Sequence, residues 1–426
     1  MKIIEKKNFL AFVLVTSLFF LWGIANNMTD TILSAFKRIM SMTDTQTSLI
    51  QFAFYGSYFC FALPAALYIR RHSYKSGIIL GLLLYSIGAI LFFPAAKTAS
   101  YAFYLIAIYI LAGGCSILET TANPYIMLMG SPQTATRRLN IAQAFNPLGS
   151  ISGILLSQYF ILGELQGYTA EERAAMPIPQ LEAIQAHELG AVTGTYMTLG
   201  FVLLAIMAIM LMAKMPLGND STSLTDSLPT VFRRLFSDRK YTWGVIAQFF
   251  YVGAQIGVWS FTIRIAMQEL NISEADGANI YLITIIGFSI SRFIYTALMK
   301  YIRPSKLLFF GSIMSALCCL TVAMAEGTGW TLVIALVLIS TFMALMFPTI
   351  YGIALGSITQ GEHPSDSTIG ASGLIMAILG GAIITPLQAI ISDSISIYIS
   401  YLIPMFCFLV IMGYSIYAIK TEQHQS

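Results

Sequence analysis

Charged side chains are scarce in this chain. Asp, Glu, Lys and Arg make up 10% of its 426 residues, whereas they make up roughly a quarter of ordinary soluble domains. Hydrophobic residues make up 57%, and the mean hydropathy is +0.75. This composition excludes a soluble globular protein and predicts the lipid bilayer as the surrounding partner. The net charge of +3 is too small to indicate a nucleic-acid partner, and we expect none.

Motifs for ATP hydrolysis and for common enzymes are also missing. The chain has no Walker loop, no cluster of zinc ligands and no nucleophile elbow. Its five cysteines lack metal-ligand or paired spacing, and we interpret them as small core residues: Cys60, Cys115, Cys318, Cys319 and Cys407. We therefore expect no cofactor, and neither an ATP-driven pump nor an enzyme has support.

Long apolar runs recur from Phe9 almost to the end, each close to the roughly 20 residues that a membrane-spanning helix needs. The first run lacks a small-residue cleavage site, so we expect it to be retained. We predict about twelve helices, near residues 9–36, 46–69, 75–96, 101–129, 138–161, 189–213, 241–268, 276–298, 305–324, 329–353, 365–392 and 397–419. The sequence thus predicts an all-α membrane protein.

Basic residues cluster in alternate loops, such as 70–75, 137–138 and 300–306, while the loop 162–188 is acidic. By the positive-inside rule, both termini are expected in the cytoplasm, here of a bacterial inner (plasma) membrane. The basic segment 214–240 reads as a cytoplasmic linker. It separates a first half, 1–213, from a second half, 241–426. We expect the protein to be a monomer.

The two halves carry similar motifs. Residues 19–23 (FFLWG) are echoed by 249–253 (FFYVG) about 230 positions later, and Pro124 in the fourth span corresponds to Pro348 in the tenth. Such matches predict a parallel duplication of six helices, which is the arrangement of the twelve-helix major facilitator fold with two pseudo-symmetric bundles. In that fold the solute binds near the middle of the membrane, between the halves.

Four charged residues fall within the predicted spans: Asp30, Glu119, Arg264 and Arg292. Charges in hydrocarbon are costly, so each is a candidate functional residue. Glu119 has no base nearby in sequence, and desolvation there disfavours an ionised carboxyl, as a group that loads and releases a proton requires. The alternative is a structural acid paired with an arginine of another helix. Asp30 is either part of the site or an interfacial acid, and we expect both arginines to lie near helix ends and to be structural.

Amide side chains follow helical faces. Asn26 and Asn27 share a stripe with Trp22 and Asp30, and Asn123 is one turn from Glu119. Further members are Gln143 and Asn146 in the fifth span, and Gln255 and Trp259 in the seventh. Any single amide could simply join two helices. As a set, amides beside aromatic rings suit the hydroxyls and apolar faces of a neutral sugar.

Four segments resemble the fucose:proton symporter family of the major facilitator superfamily, which includes glucose/galactose carriers. They are residues 19–30 (FFLWGIANNMTD), 118–124 (LETTANP), 139–146 (LNIAQAFN) and 251–255 (YVGAQ). The resemblance implies that Glu119 carries the co-transported proton and that Asp30 joins sugar binding or proton relay. It also implies that Asn27, Gln143 and Asn146 line the sugar cavity. Thr29, where the fucose members have Asn, leaves the preferred sugar open.

We therefore predict a secondary transporter that imports a neutral monosaccharide, L-fucose, by proton symport and alternating access. Within the same fold, the alternatives are a glucose/galactose or N-acetylglucosamine carrier, either sodium-coupled or passive, and a multidrug exporter. A different class is a membrane sugar sensor that binds without net flux. The predicted sugar-binding residues are Asn26, Asn27, Asp30, Asn123, Gln143, Asn146, Gln255 and Trp259, and no metal site is predicted.

Overall fold

The structure is a computed structural model that describes residues 3–40, 42, 44–98, 100–166, 168, 172–173, 175–215 and 226–424. Within these ranges, the side chains of residues 29–34, 37–38, 44–48, 274–275 and 424 lie outside the description. All regular structure in the described part is helical. The α-helices, numbered in chain order, are α1 Phe9–Ile39, α2 Asp44–Arg71, α3 Tyr74–Ile90, α4 Phe92–Thr98, α5 Tyr101–Leu128, α6 Ala135–Gln143, α7 Asn146–Phe160, α8 Ile178–Met212, α9 Leu228–Ser237, α10 Arg239–Leu270, α11 Glu274–Leu298, α12 Pro304–Met324, α13 Trp330–Met343, α14 Met346–Thr359, α15 Ser367–Met376, α16 Gly380–Ser394 and α17 Leu402–His424.

Several helices begin at a residue whose side chain caps the free backbone N–H groups. Ser73 and Ser76 form a reciprocal capping box at the start of α3. Asp238 caps α10 by accepting from the backbone of Tyr241 at 3.0 Å. These two capping residues therefore mark the places where α3 and α10 begin.

Among the described residues, eleven segments are long and apolar enough to cross a membrane. The predicted fifth span, 138–161, is instead two helices, α6 and α7, interrupted at Ala144 and Phe145. Pro147 lies just after this break; it lacks an N–H group and prevents a continuous hydrogen-bond ladder. Together α6 and α7 form the fifth element in chain order, and with the eleven other segments they make twelve spanning elements among the described residues. The prediction of one unbroken helix was wrong at this point.

One interruption recurs at a matching place in the two halves. α6 and α7 are separated at residues 144–145, and α15 and α16 are joined by the 3₁₀ turn Ala377–Leu379. A further break separates α13 from α14 at residues 344–345, three residues before Pro348, and it has no counterpart in the continuous helix α5. The break before α7 and the turn before α16 fall in the fifth and eleventh elements. The repeat that the sequence motifs predict is therefore visible in helix interruptions as well.

Glycines allow the same helix pairs to approach closely in each half. A Cβ atom on Gly149 would overlap the backbone carbonyl of Phe20, so α7 packs tightly on α1. In the second half a Cβ on Gly380 would overlap the carbonyl of Phe249, so α16 packs tightly on α10. The helices therefore approach closely at these glycines, and residues 19–23 and 249–253 occupy corresponding positions in the two halves.

We use the term basic end for the end of the bundle that carries the loops 70–75, 129–138 and 299–306. There, helices of residues 1–213 meet helices of residues 241–426. The Asn140 Nδ2 donates to Thr349 Oγ1 at 3.3 Å, and the Arg137 Nε donates to the carbonyl oxygen of Thr296 at 3.3 Å. The two halves are thus in direct contact at the basic end.

The predicted linker between the halves contains a helix, α9. α9 buries Val231 and Leu235, and Arg234 on it forms a bidentate ion pair with Asp366 at 2.7 and 2.9 Å. Arg234 also contacts Asp226 at 2.8 Å, which lowers the pKa of that exposed carboxyl. Residues 216–225 lie outside the described residues. The predicted linker 214–240 therefore includes an anchored amphipathic helix, and the seventh span begins at Arg239.

At the opposite end of the bundle, α8 extends into the acidic loop. α8 begins at Ile178 rather than near 189, and it brings Glu188 against Arg173 with N–O distances of 2.6 and 2.8 Å. Both side chains are buried.

The cysteines were predicted to be small core residues. Cys60 does not fit this prediction, because it is exposed on α2, whereas the other four cysteines are buried.

Candidate functional site

A cavity lies between the two halves and takes lining residues from both. Its volume is about 130 Å³, several times what a single water molecule requires, so it has room for a small solute. Its polar lining residues include Asn26, Asn27, Gln51, Glu119, Gln143, Asn146, Ser150, Gln255 and Arg292. Its aromatic lining residues are Phe19, Trp22, Phe54, Tyr55, Tyr58, Trp259, Phe288 and Phe347.

Glu119 lies in the wall of this cavity, on α5, and is 8% exposed. The hydroxyl of Tyr58 on α2 donates to its Oε1 at 3.3 Å. Tyr58 is held in turn by its backbone, since the Ser116 Oγ donates to the Tyr58 carbonyl at 3.0 Å. Among the described residues, no arginine, lysine or histidine forms an ion pair with Glu119. Glu119 is therefore not held in an ion pair with Arg264 or Arg292, which was the alternative interpretation of this residue.

The amides of the fifth element are fixed by the broken helix. Gln143, the last residue of α6, donates from Nε2 to Asn123 Oδ1 at 2.9 Å. Asn146, the first residue of α7, donates to the carbonyl of Phe19 at 3.2 Å. Gln143 and Asn146 face the cavity, whereas Asn123 is fully buried behind Gln143 and is not a lining residue. In this structure Asn123 therefore supports Gln143 from behind, and its contact with the solute stays a prediction.

The stripe predicted on the first helix also reaches the cavity. Trp22, Asn26 and Asn27 line it, and the Asn27 Nδ2 donates to the carbonyl of Gly23 at 3.3 Å. The Trp22 Nε1 and the Asn26 Oδ1 have no hydrogen-bond partner among the described residues. One buried donor and one buried acceptor beside the cavity are thus left unsatisfied by the described residues. Asp30 belongs to α1, one turn beyond Asn26, but its side chain lies outside the described residues.

The second half contributes a more apolar wall. Gln255 and Trp259 line the cavity from α10, and the Trp259 ring packs edge-on against Phe288 with centroids 5.1 Å apart. The Trp259 Nε1 donates to Ser340 Oγ at 3.2 Å, which fixes the indole. Aromatic rings therefore line the cavity from both halves, whereas most of the amides and the carboxyl of Glu119 come from the first half.

The two intramembrane arginines differ from each other. Arg264 is 58% exposed and lies 3.7 Å from Asp393, at the opposite end from the basic loops, as expected. Arg292 is only 3% exposed and lines the cavity. The expectation that Arg292 extends toward a helix end was wrong, because α11 turns this side chain into the protein. The sequence signal was present, since an arginine inside a span is a candidate site residue by default.

This arrangement can bind a small solute with several hydroxyl groups and can hold a proton beside it. Amides both donate and accept, aromatic faces cover apolar C–H surfaces, and Glu119 is a titratable group in the same cavity. Among the described residues, no cluster of three or more His, Cys, Asp or Glu side chains could hold a metal ion.

A bundle of spanning helices with a polar cavity between two similar halves defines a secondary membrane transporter. Residues 11–385 match the family model described as Major Facilitator Superfamily. The chain belongs to this superfamily, and it is a transporter rather than an enzyme.

Several characterised relatives are similar over nearly the full length. The chain is 44% identical to the L-fucose-proton symporter of Haemophilus influenzae over 98% of this chain and 99% of that protein. It is 34% identical to the glucose/galactose transporter of Brucella abortus over 98% and 96% of the two chains. The solved structure of the Escherichia coli fucose:proton symporter FucP in the outward conformation aligns with a TM-score of 0.87 and 35% identity, over 96% of this chain and 98% of that one.

Proposed function

We propose that the protein imports L-fucose by proton symport. The observation that carries the proposal is Glu119, a carboxyl that faces an amide-lined and aromatic-lined cavity and forms no ion pair with a described residue. Such a group can take up a proton when the cavity is open to one side and release it when the cavity is open to the other. The named fucose symporters among the relatives, at up to 44% identity, favour fucose as the sugar.

In this mechanism the solute binds between the halves, in contact with Asn27, Gln143 and Asn146 on one side and with Gln255 and Trp259 on the other. Asn26 and Asp30 complete the first helix's contribution. Sugar binding and protonation of Glu119 both favour the occluded state, which couples the two fluxes. Coupling of this kind requires no metal or organic cofactor; the proton is the co-substrate.

We further propose that residues 1–213 and 241–426 move as two bundles, joined by the segment 214–240, in a monomer. The basic end is cytoplasmic, with both termini on that side, because basic loops are retained in the cytoplasm of the inner membrane. The contacts of Asn140 and Arg137 across the halves at that end then correspond to a state closed toward the cytoplasm.

Radiolabelled sugar uptake into proteoliposomes with an imposed inward proton gradient tests the function. L-Fucose is expected to accumulate above equilibrium, and an uncoupler is expected to abolish the accumulation while replacement of sodium has no effect. Galactose, glucose and N-acetylglucosamine serve as competing substrates. Sodium-dependent accumulation, or fucose equilibration without accumulation, would contradict proton symport; binding without flux would indicate a sensor.

A second candidate is a glucose/galactose carrier of the same fold. The 34% identity to the Brucella abortus glucose/galactose transporter over 98% of this chain favours it. In the same uptake assay this candidate predicts that unlabelled glucose or galactose displaces fucose at lower concentration than fucose itself does.

A further inference from the structure

Arg292 joins two helix breaks that lie in different halves. Its Nε donates to the carbonyl oxygen of Ala344 at 2.6 Å, and its Nη1 donates to the carbonyl oxygen of Gln143 at 3.1 Å. The guanidinium also lies over the ring of Phe288, 4.5 Å from the centroid. One buried cation on α11 therefore binds the end of α6 in the first half and the end of α13 in the second.

These two carbonyl groups share a feature that the sequence explains. In an α-helix the carbonyl of residue i accepts from the N–H of residue i+4. The residues four positions after Gln143 and Ala344 are Pro147 and Pro348, which have no N–H to donate. Both carbonyls therefore lose their usual donor, and Arg292 supplies a replacement to each of them.

The contact with Gln143 is the one that crosses between the halves. Arg292 and Gln143 both line the cavity, whereas the crossing contacts of Arg137 and Asn140 lie nearer the basic end. We call the side of the cavity that faces the basic end its floor, and Arg292 makes a crossing hydrogen bond there. Any movement that opens the basic end to the cavity must break this bond and leave the Gln143 carbonyl without its arginine donor.

We propose that Arg292 is a positioning residue that clasps the two halves together at the floor of the cavity and favours the state closed at the basic end. Charge-assisted hydrogen bonds are the strong ones among protein hydrogen bonds, so the clasp contributes directly to the balance between the two states of the transport cycle. The inference rests on the proposed function for its biological meaning, but its structural content does not depend on which sugar or ion is carried.

Distance measurements between two spin labels test the clasp in the full-length protein in nanodiscs. Labels at Gln133→Cys and Tyr301→Cys, in a Cys60→Ser background, report the separation of the halves at the basic end. We expect Arg292→Met to raise the ratio of the long-distance to the short-distance population by roughly tenfold, as the loss of one charged hydrogen bond allows. Arg292→Lys, which keeps a donor, is expected to raise it less.

A second experiment tests whether Arg292 binds the Gln143 carbonyl because Pro147 leaves that carbonyl without a backbone donor. Pro147→Ala returns an N–H to the Gln143 carbonyl, so Arg292→Met should shift the population less in that background. Pro386→Ala in α16 is the matched control, because the carbonyl four residues before it, that of Ala382, receives no bond from Arg292. An equal shift in all three backgrounds would overturn the proline explanation.

An unchanged distance distribution in folded Arg292→Met would overturn the clasp, even if the variant were less stable to heat. If Arg292→Met did not fold, an unchanged distribution in Arg292→Lys would overturn the clasp, because that variant is still expected to raise the long-distance population. Failure of the wild type to accumulate fucose would instead reject the proposed function, since the label distances report the clasp without any substrate.

Discussion

The hydroxyl of Tyr58 donates a hydrogen bond of 3.3 Å to Oε1 of Glu119 across the interface of α2 and α5. Tyr58 is 1% exposed, so this phenol is an internal partner of the carboxyl rather than a surface group. Its helix is fixed to α5 a second time by Ser116, which bonds to the Tyr58 carbonyl. The proposed proton site therefore consists of Glu119 and Tyr58, and the bond from Ser116 holds the tyrosine in place.

We predict that Tyr58→Phe lowers proton-driven uptake by about tenfold, since hydrogen bonds to charged groups are worth roughly 1.5–3 kcal/mol. Sugar counterflow, which requires no net proton movement, should fall by much less. Tyr68→Phe is the control, because Tyr68 lies on the same helix and stacks on His72 instead. Equal losses in uptake and counterflow would indicate that Tyr58 serves only folding or sugar binding.

Asp30 provides a prediction on the first helix. Because Asn26 and Asn27 line the cavity one turn before it, Asp30→Asn is expected to abolish both uptake and counterflow. The measurement is radiolabelled fucose transport in both modes, with reconstituted amount matched by immunoblot. Normal transport by this variant would remove Asp30 from the site.

The glycine contacts predict that glycine-to-alanine substitutions at two positions have different effects on thermal stability. Gly149→Ala places a methyl group against the Phe20 carbonyl, whereas Gly190→Ala places it in open space. Overpacking costs typically 1–3 kcal/mol, so only Gly149→Ala should lower the thermal unfolding temperature in detergent. Equal unfolding temperatures for the two variants would show that α1 and α7 are not tightly packed there.

Features that depend on local pattern could be predicted from the sequence. The spans follow from apolar runs of bilayer length, and Asn26, Asn27, Gln143, Asn146, Gln255 and Trp259 reach the cavity because residues three or four apart share a helix face. The interruption of the fifth span was also within reach, since Pro147 marks it. The helix α9 has its own signal, with Pro229 near its start and Val231 and Leu235 one turn apart.

The remaining features depend on tertiary packing. Whether Arg292 extends to a helix end or turns inward is set by the rotation of α11 against its neighbours, which the sequence of α11 alone does not specify. Asn123 is one turn from Glu119, yet Gln143 covers it. Likewise, the burial of Arg173 against Glu188 requires the start of α8 to pass over the loop, and no periodicity encodes that approach.

Glu119 is proposed to carry the proton, and a measurement of proton movement tests this role most directly. Fucose is added to de-energised proteoliposomes in weakly buffered medium, and the external pH is recorded. The wild type is expected to alkalinise the medium as sugar and protons enter together, while Glu119→Gln catalyses fucose counterflow without any alkalinisation. Fucose-dependent alkalinisation by Glu119→Gln at the wild-type rate would contradict the proposal that Glu119 carries the co-transported proton.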